Sequence, residues 1–208
     1  MSVSSATRRK ITAAGLAVLI DSGYAAFTQQ LVAERAKISL GNLTYHFATK
    51  SILLDAIIVD WFEQWQQSFN IALHAKTEHV PGIDEFIDWV MDSALTDNNI
   101  RLFRELWAIS NNDVKLEKML HVLYDQAVDF VLAAFAVSDL DRNDENLRNL
   151  IYVLACVSEG AAAVWINAPG SKANPDIIKN HVRTLFGPAF KQALCSATVK
   201  KNTQSTPT

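Results

Sequence analysis

Apolar and polar positions recur along most of this chain at spacings of three and four residues, the period of an amphipathic helix. No run alternates in the two-residue rhythm of a half-buried strand bounded by hairpin turns. Ile11, Ala14, Gly15, Val18, Leu19 and Ser22 share one narrow face and predict a first helix over Thr7–Asp21, with Gly23 as its stop. Two short segments follow. Thr28 is placed to cap a helix over Gln29–Ala36 with Leu31 and Val32 inward. After a tight turn at Lys37-Ile38, Ser39 is placed to cap a helix over Leu40–Phe47. Thr49 then opens a long helix over Lys50–Ala75. Longer segments are predicted over Ile83–Thr96, Ile100–Ser110, Val114–Val137, Glu145–Asn167 and Pro175–Ala197. The breaks fall at Pro81-Gly82, Asp97-Asn98-Asn99, Asn111-Asn112-Asp113, Ser138–Asp144 and Ala168–Asn174. The fold class is therefore all-α: a three-helix head over residues 1–50, a larger helical body over 51–198, and a polar tail over 199–208 expected to be disordered.

Composition agrees. Half of the 208 residues are hydrophobic and a fifth are charged, which supports a packed core. Seven Gly and five Pro are too few for a fold of many strands and turns. Cys156 and Cys195 match no paired-cysteine or zinc spacing and are expected to be two buried thiols in a reducing cytoplasm. Net charge is −3, yet it is unevenly spread. Residues 1–50 carry six Lys and Arg against Asp21 and Glu34, while the rest carries thirteen cations against twenty anions. A basic head on an acidic body concentrates any attraction for phosphate at one end. Arg8-Arg9-Lys10 followed by Ile11–Ile20 resembles a secretory leader, but Thr12 and Gly15 interrupt the apolar run and its apolar residues form a helix face. The longest apolar stretch, Leu150–Ile166, contains Glu159, so no membrane span is expected.

The two short helices carry the chemistry. Two such helices joined by a tight turn, the second with polar groups outward, suit a DNA major groove, which admits one helix and offers hydrogen-bonding base edges. On the segment Leu40–Phe47, Leu43 and Phe47 form an inward face beside Leu40, and Gly41, Asn42, Thr44 and Tyr45 lie opposite. Tyr45 can bond a phosphate or pack on a thymine methyl; Thr44 and Asn42 can reach base edges or phosphates; Gly41 lets the backbone approach closely. Gln29 and Gln30 stand where free helix N–H groups favour a phosphate, and Lys50 starts the next helix, where a cation is unfavourable unless an anion binds there. His46, at the end of its helix, suits a phosphate contact or a dipole role. Catalytic, metal-ligating and cofactor-binding constellations are not evident, so the chain is not expected to be an enzyme.

The run TQQLVAERAKISLGNLTYHFATK over residues 28–50, followed by Ile52-Leu53-Leu54, resembles the DNA-binding signature of the TetR/AcrR family; residues 8–56 carry the resemblance. It implies DNA contacts at Gln29, Gln30, Leu40, Gly41, Thr44, Tyr45, His46 and Lys50. It also implies a homodimer through the last two long helices and a near-palindromic operator read by two recognition helices about 34–36 Å apart. Three departures stand out: Lys37 at a turn position often taken by Gly, Leu40 where a polar residue is common, and Thr44 in place of an aromatic. The expected activity is that of a cytoplasmic transcriptional regulator, a repressor released by a small-molecule effector. Alternatives are an activator and a helical ligand-binding protein with weakened DNA binding. Trp61, Trp65, Trp89, Phe103, Trp107 and Tyr124 are candidates to line the effector pocket, with His121 and Asn111 as polar groups beside them.

Overall fold

The computed structural model describes residues 3–74, 82–135, 144–164 and 172–204. Among them the order is α1 (Val3–Ala26), α2 (Gln29–Arg35), α3 (Leu40–His46), α4 (Lys50–His74), α5 (Ile83–Ala94), α6 (Asp97–Ser110), α7 (Val114–Ala134), α8 (Glu145–Val164) and α9 (Pro175–Gln204), with no strand. Where the expected ends at Ala75, Val137 and Asn167 fall, they lie outside the described residues.

Capping explains the short helices. The Thr28 hydroxyl accepts the Leu31 N–H at 3.1 Å, Ser39 accepts that of Asn42 at 3.2 Å, and Thr49 accepts that of Ile52 at 3.2 Å. Two boundaries differ from the sequence reading. Asp97-Asn98-Asn99 is not a break but the first turn of α6, because Thr96 accepts the Asn99 N–H at 3.3 Å and so caps a helix there. The helix α9 runs on to Gln204, through most of the tail expected to be disordered, since no Gly or Pro interrupts residues 189–204.

The chain divides into two compact units, Met1–Ser68 with Arg101–Met119, and Phe69–Ile100 with Leu120–Thr208. The first holds the head together with residues 50–68 of α4 and residues 101–110 of α6. Its core is Ile11, Val18, Leu19, Phe27, Val32, Leu43, Phe47, Leu53, Ile57 and Ile58, each at most 1 % exposed. Burying a side chain of this size contributes roughly 1.5–3 kcal/mol. A Cβ on Gly15 would overlap the end of the Ile57 side chain, so this glycine lets α1 and α4 pack closely without displacing Ile57.

In the second unit α5 packs against α8 and α9. Its core is aromatic: the Phe69 ring meets Phe86, Trp89 and Phe130 with centroids 5.1–6.0 Å apart, and Phe135 meets Phe86 at 5.3 Å and Phe190 at 5.5 Å. Along the α5–α9 seam Asp84, Asp88 and Asp92, spaced by four, pair with Lys191, Arg183 and Lys179 at 3.6, 3.3 and 2.9 Å. The four-residue spacing puts all three carboxylates on one stripe of α5.

Candidate nucleic-acid interface

The helix α3 has seven residues, too few to be stable alone. It exists because Leu43 and Phe47, both 0 % exposed, anchor it in the head. That anchoring decides what is left outside. Tyr45 is 84 % exposed, and Gly41 and Asn42 are exposed beside it. A Cβ on Gly41 would meet nothing within 4 Å, so the backbone there is open to close approach. Leu40 is 41 % exposed and therefore sits at the rim rather than on the inward face. Thr44 is half-buried, its hydroxyl donating to the Gly41 carbonyl at 3.2 Å. The half-buried His46 ring stands edge-on to Tyr45, centroids 5.2 Å apart.

The turn before α3 carries strain in the position where it was anticipated. Lys37 has φ +52°, and is the one non-glycine residue with positive φ among the described residues. A left-handed backbone costs a side-chain-bearing residue roughly 1–2 kcal/mol. Lys37 N–H donates to the Glu34 carbonyl at 3.0 Å and Ile38 N–H to the Ala33 carbonyl at 3.0 Å, so the turn satisfies the end of α2 while it aims α3.

Three residues expected on the DNA side are engaged within the head. The Gln29 amide donates through Nε2 to the Phe47 carbonyl at 2.7 Å, so it braces α3 instead of facing outward. Gln30 donates to Glu34 Oε1 at 2.8 Å on the exposed face of α2. Lys50 was expected to join the free N–H groups of α4 around an anion. Its Nζ instead donates to the Tyr24 carbonyl at 3.3 Å and lies 3.8 Å from the centre of the Tyr24 ring. Burial in this site lowers its pKa below the ordinary lysine value. The ring face and carbonyl supply the negative potential that a phosphate would otherwise supply.

Two residues of this region escaped the sequence reading. Arg8 donates through Nη1 to the His46 carbonyl at 3.0 Å, and its guanidinium carbon lies 4.3 Å above the centre of the Phe47 ring. Arg8 is exposed; its position three residues before Ile11, one turn ahead of the buried face of α1, was the available signal. Glu105 of α6 accepts the Tyr24 N–H at 2.7 Å. Gly23, at φ +73° and ψ 169°, breaks α1 there and frees that N–H from the helix ladder. Nothing in the sequence around Glu105 announces a partner 81 residues away.

The six ligand candidates fall in both compact units. Trp61, Trp65, Phe103 and Trp107 belong to the first, with Trp61 edge-on to Phe103 at 5.4 Å and Trp65 stacked on Phe62 at 5.7 Å. Trp107 is 40 % exposed. Trp89 and Tyr124 belong to the second, where Trp89 packs on Phe69. His121 and Asn111 are exposed. The Tyr124 hydroxyl donates to Glu159, the lone charge of α8's apolar run. Burial first, then the Glu159 charge and hydrogen bond, push the Tyr124 phenol far up, so it stays a donor. The two cysteines are exposed, not buried as expected: Cys156 shares the outer stripe of α8 with Val153, and Cys195 lies on the outer side of α9. Among the described residues no group of three metal-binding side chains comes together, and no helix is long and apolar enough to cross a membrane.

Residues 11–57 match the sequence model of the bacterial regulatory proteins of the tetR family. Among curated proteins none matches this chain. Solved structures of similar fold include GusR of Salmonella enterica, at 18 % identity, covering 92 % of this chain and 98 % of that one with a TM-score of 0.67. A member of the TetR family from Streptomyces coelicolor A3 aligns at 22 % identity, over 86 % and 97 % of the two chains, with a TM-score of 0.61. The multidrug binding protein EbrR, solved in complex with imidazole, aligns at 21 % identity, over 86 % and 93 %, with a TM-score of 0.58. Residues 11–57 are thus a tetR-family DNA-binding domain, and the chain has the fold of these solved structures.

Proposed function

We propose that this protein is a DNA-binding transcriptional regulator, a repressor that binds a near-palindromic operator as a homodimer and leaves it when a small molecule binds the body. The observation that carries the DNA-binding part is the two-sidedness of α3: Leu43 and Phe47 are fully buried while Tyr45 is 84 % exposed, with Gly41 and Asn42 exposed on the same helix. Only a helix so anchored can present Asn42, Thr44 and Tyr45 to base edges and phosphates in a fixed register. In this reading Gln30, Leu40, Gly41 and His46 flank the contact, and Lys50 exchanges its Tyr24 partners for a phosphate.

Dimerisation is supported by the outer faces of α8 and α9. Val153, Ile177 and Leu185 are 46, 56 and 73 % exposed, Cys156 and Cys195 are exposed with them, and a Cβ on Gly160 would meet nothing within 4 Å. Apolar residues at helical spacing on two antiparallel-capable helices suit a twofold four-helix contact. For the effector, the half-buried Tyr124–Glu159 pair offers a polar anchor. EbrR, named a multidrug binding protein, is a precedent for a small ligand on this fold. The route to the head runs through Glu105, which ties α6 to Tyr24, and Tyr24, which holds Lys50 at the start of α4. A coupling of about 1–3 kcal/mol through such contacts would release the operator. Such a regulator works in the cytoplasm.

Selection of duplexes from a random library by the full chain tests the reading. A near-palindromic consensus with half-sites one helical turn apart, and an affinity falling steeply with salt, is the expected result. A chain that enriches no duplex sinks it.

A further inference from the structure

The end of α3 has no cap of its own. Its C-cap residue Phe47 is extended, at φ −140° and ψ 93°, and forms neither a left-handed nor a glycine cap. The last carbonyls of a helix lack partners inside it and need donors from elsewhere. Here two other helices provide them: α1 sends Arg8 Nη1 to the His46 carbonyl at 3.0 Å, and α2 sends Gln29 Nε2 to the Phe47 carbonyl at 2.7 Å. We propose that Arg8 and Gln29 are positioning residues, a two-point clamp on consecutive carbonyls that sets the angle at which α3 presents Tyr45 to DNA. The proposal rests on the DNA-binding reading above and assigns Gln29 to the protein side of that interface.

The chemistry suits the task. A guanidinium is flat and donates in its plane, so Arg8 bonds a carbonyl with one N–H while its face lies 4.3 Å from the centre of the buried Phe47 ring. It thereby holds the ring that anchors α3 and the carbonyl that ends it. A cation beside a helix C-terminus also meets the negative end of the dipole. Both targets are backbone atoms, so the clamp is indifferent to the side chain of His46. Leu43 and Phe47 secure one face of a seven-residue helix but leave it free to rock about that line; donors on adjacent residues, arriving from two different helices, remove that freedom. Tyr45, one residue before the clamped carbonyl of His46, gains most from it.

The alternative for a basic residue in this head is direct contact with a phosphate, and two measurements separate the roles. The first needs no DNA: amide hydrogen exchange of residues 43–47 in the full chain. With R8A and Q29A combined, exchange there is expected to rise about 10-fold while α5 is unchanged, as loss of end-satisfying hydrogen bonds requires. Unchanged exchange in that turn overturns the clamp. The second is affinity for a duplex selected by the unmodified chain, across a salt series. The proposal expects R8A to weaken binding about 10-fold with the same slope of log affinity against log salt, because no phosphate contact is lost. R8K, which keeps a donor but not the flat stack, is expected to stay within about 3-fold of the unmodified chain. A slope reduced by about one shows a phosphate contact and overturns the positioning role. A chain that selects no duplex at all sinks the DNA-binding reading and the proposal with it, whereas a selected duplex with R8A affinity unchanged sinks the proposal alone.

Discussion

The helix α3 and the pair α8–α9 both leave large side chains in water, Tyr45 at 84 % and Leu185 at 73 %. On α3 the neighbours of the exposed ring are Asn42, Thr44 and a bare glycine, on a helix of seven residues. On α8 and α9 they are Val153, Ile177 and two thiols, on helices of 20 and 30 residues. The first pattern cannot bury much apolar area but can make directional contacts, as a groove of base edges and phosphates requires. The second offers larger apolar side chains along longer helices, with Asn149, His181 and Thr184 exposed among them, a mixture that suits contact with another copy of the chain. Exposure alone does not say what covers a surface; the mixture of polarity around it does.

Four changes would break or sharpen that contrast. F47A removes the ring that anchors α3 and supports Arg8; a fully buried Phe to Ala change costs roughly 3–5 kcal/mol, so the urea midpoint should fall sharply. A midpoint unchanged within error would mean that α3 is held by something else. L185E places a charge in the proposed stripe without touching the core; sedimentation should show the dimer constant weakened about 100-fold, near 2.7 kcal/mol, with helix content kept. If the variant sediments as the unmodified chain does, the dimer lies on another face. Y45A should leave thermal stability within about 0.5 kcal/mol, since the side chain buries little. Its affinity for the selected duplex should drop about 10- to 100-fold; retained affinity would remove Tyr45 from the interface. K37G relieves the positive φ at a site where the chain must turn, a gain of about 0.5–1 kcal/mol after the extra freedom of glycine in the unfolded chain is counted. A loss in the denaturation midpoint would show that Lys37 does more than turn.

Much of the head was legible. Caps at Thr28, Ser39 and Thr49, the inward pair Leu43 and Phe47, and a tight turn at Lys37 all follow from residue type and spacing within a few positions, while the positive φ of Lys37 was implied only by the family resemblance. These are local relations, and a helix's own hydrogen bonding sets them. The departures are non-local. Gln29 and Lys50 were placed toward DNA from their position near helix starts, yet each found a closer partner across the fold, at Phe47 and Tyr24. Periodicity says which side of a helix is polar, but not which other helix lies against it. The cysteines were expected to be buried because they match no paired or metal-binding spacing, but spacing says nothing of burial: both are exposed, Cys156 on the same stripe of α8 as Val153. For the ligand candidates, aromatic spacing cannot separate a packed core such as Phe69–Phe86 from rings at a cavity wall.

Residue pattern alone determined that this protein is helical, that its second, third and fourth helices follow the caps Thr28, Ser39 and Thr49, and that a short two-faced helix follows a tight turn near its N-terminus, because those properties arise from neighbours within one or two turns. Only the packed structure decided which polar groups are spent inside the head: Arg8 on His46, Gln29 on Phe47, Glu105 on Tyr24. Those bonds join residues 18 to 81 positions apart. A hydrogen bond is set by where donor and acceptor meet in space, and that meeting exists only once the helices have docked.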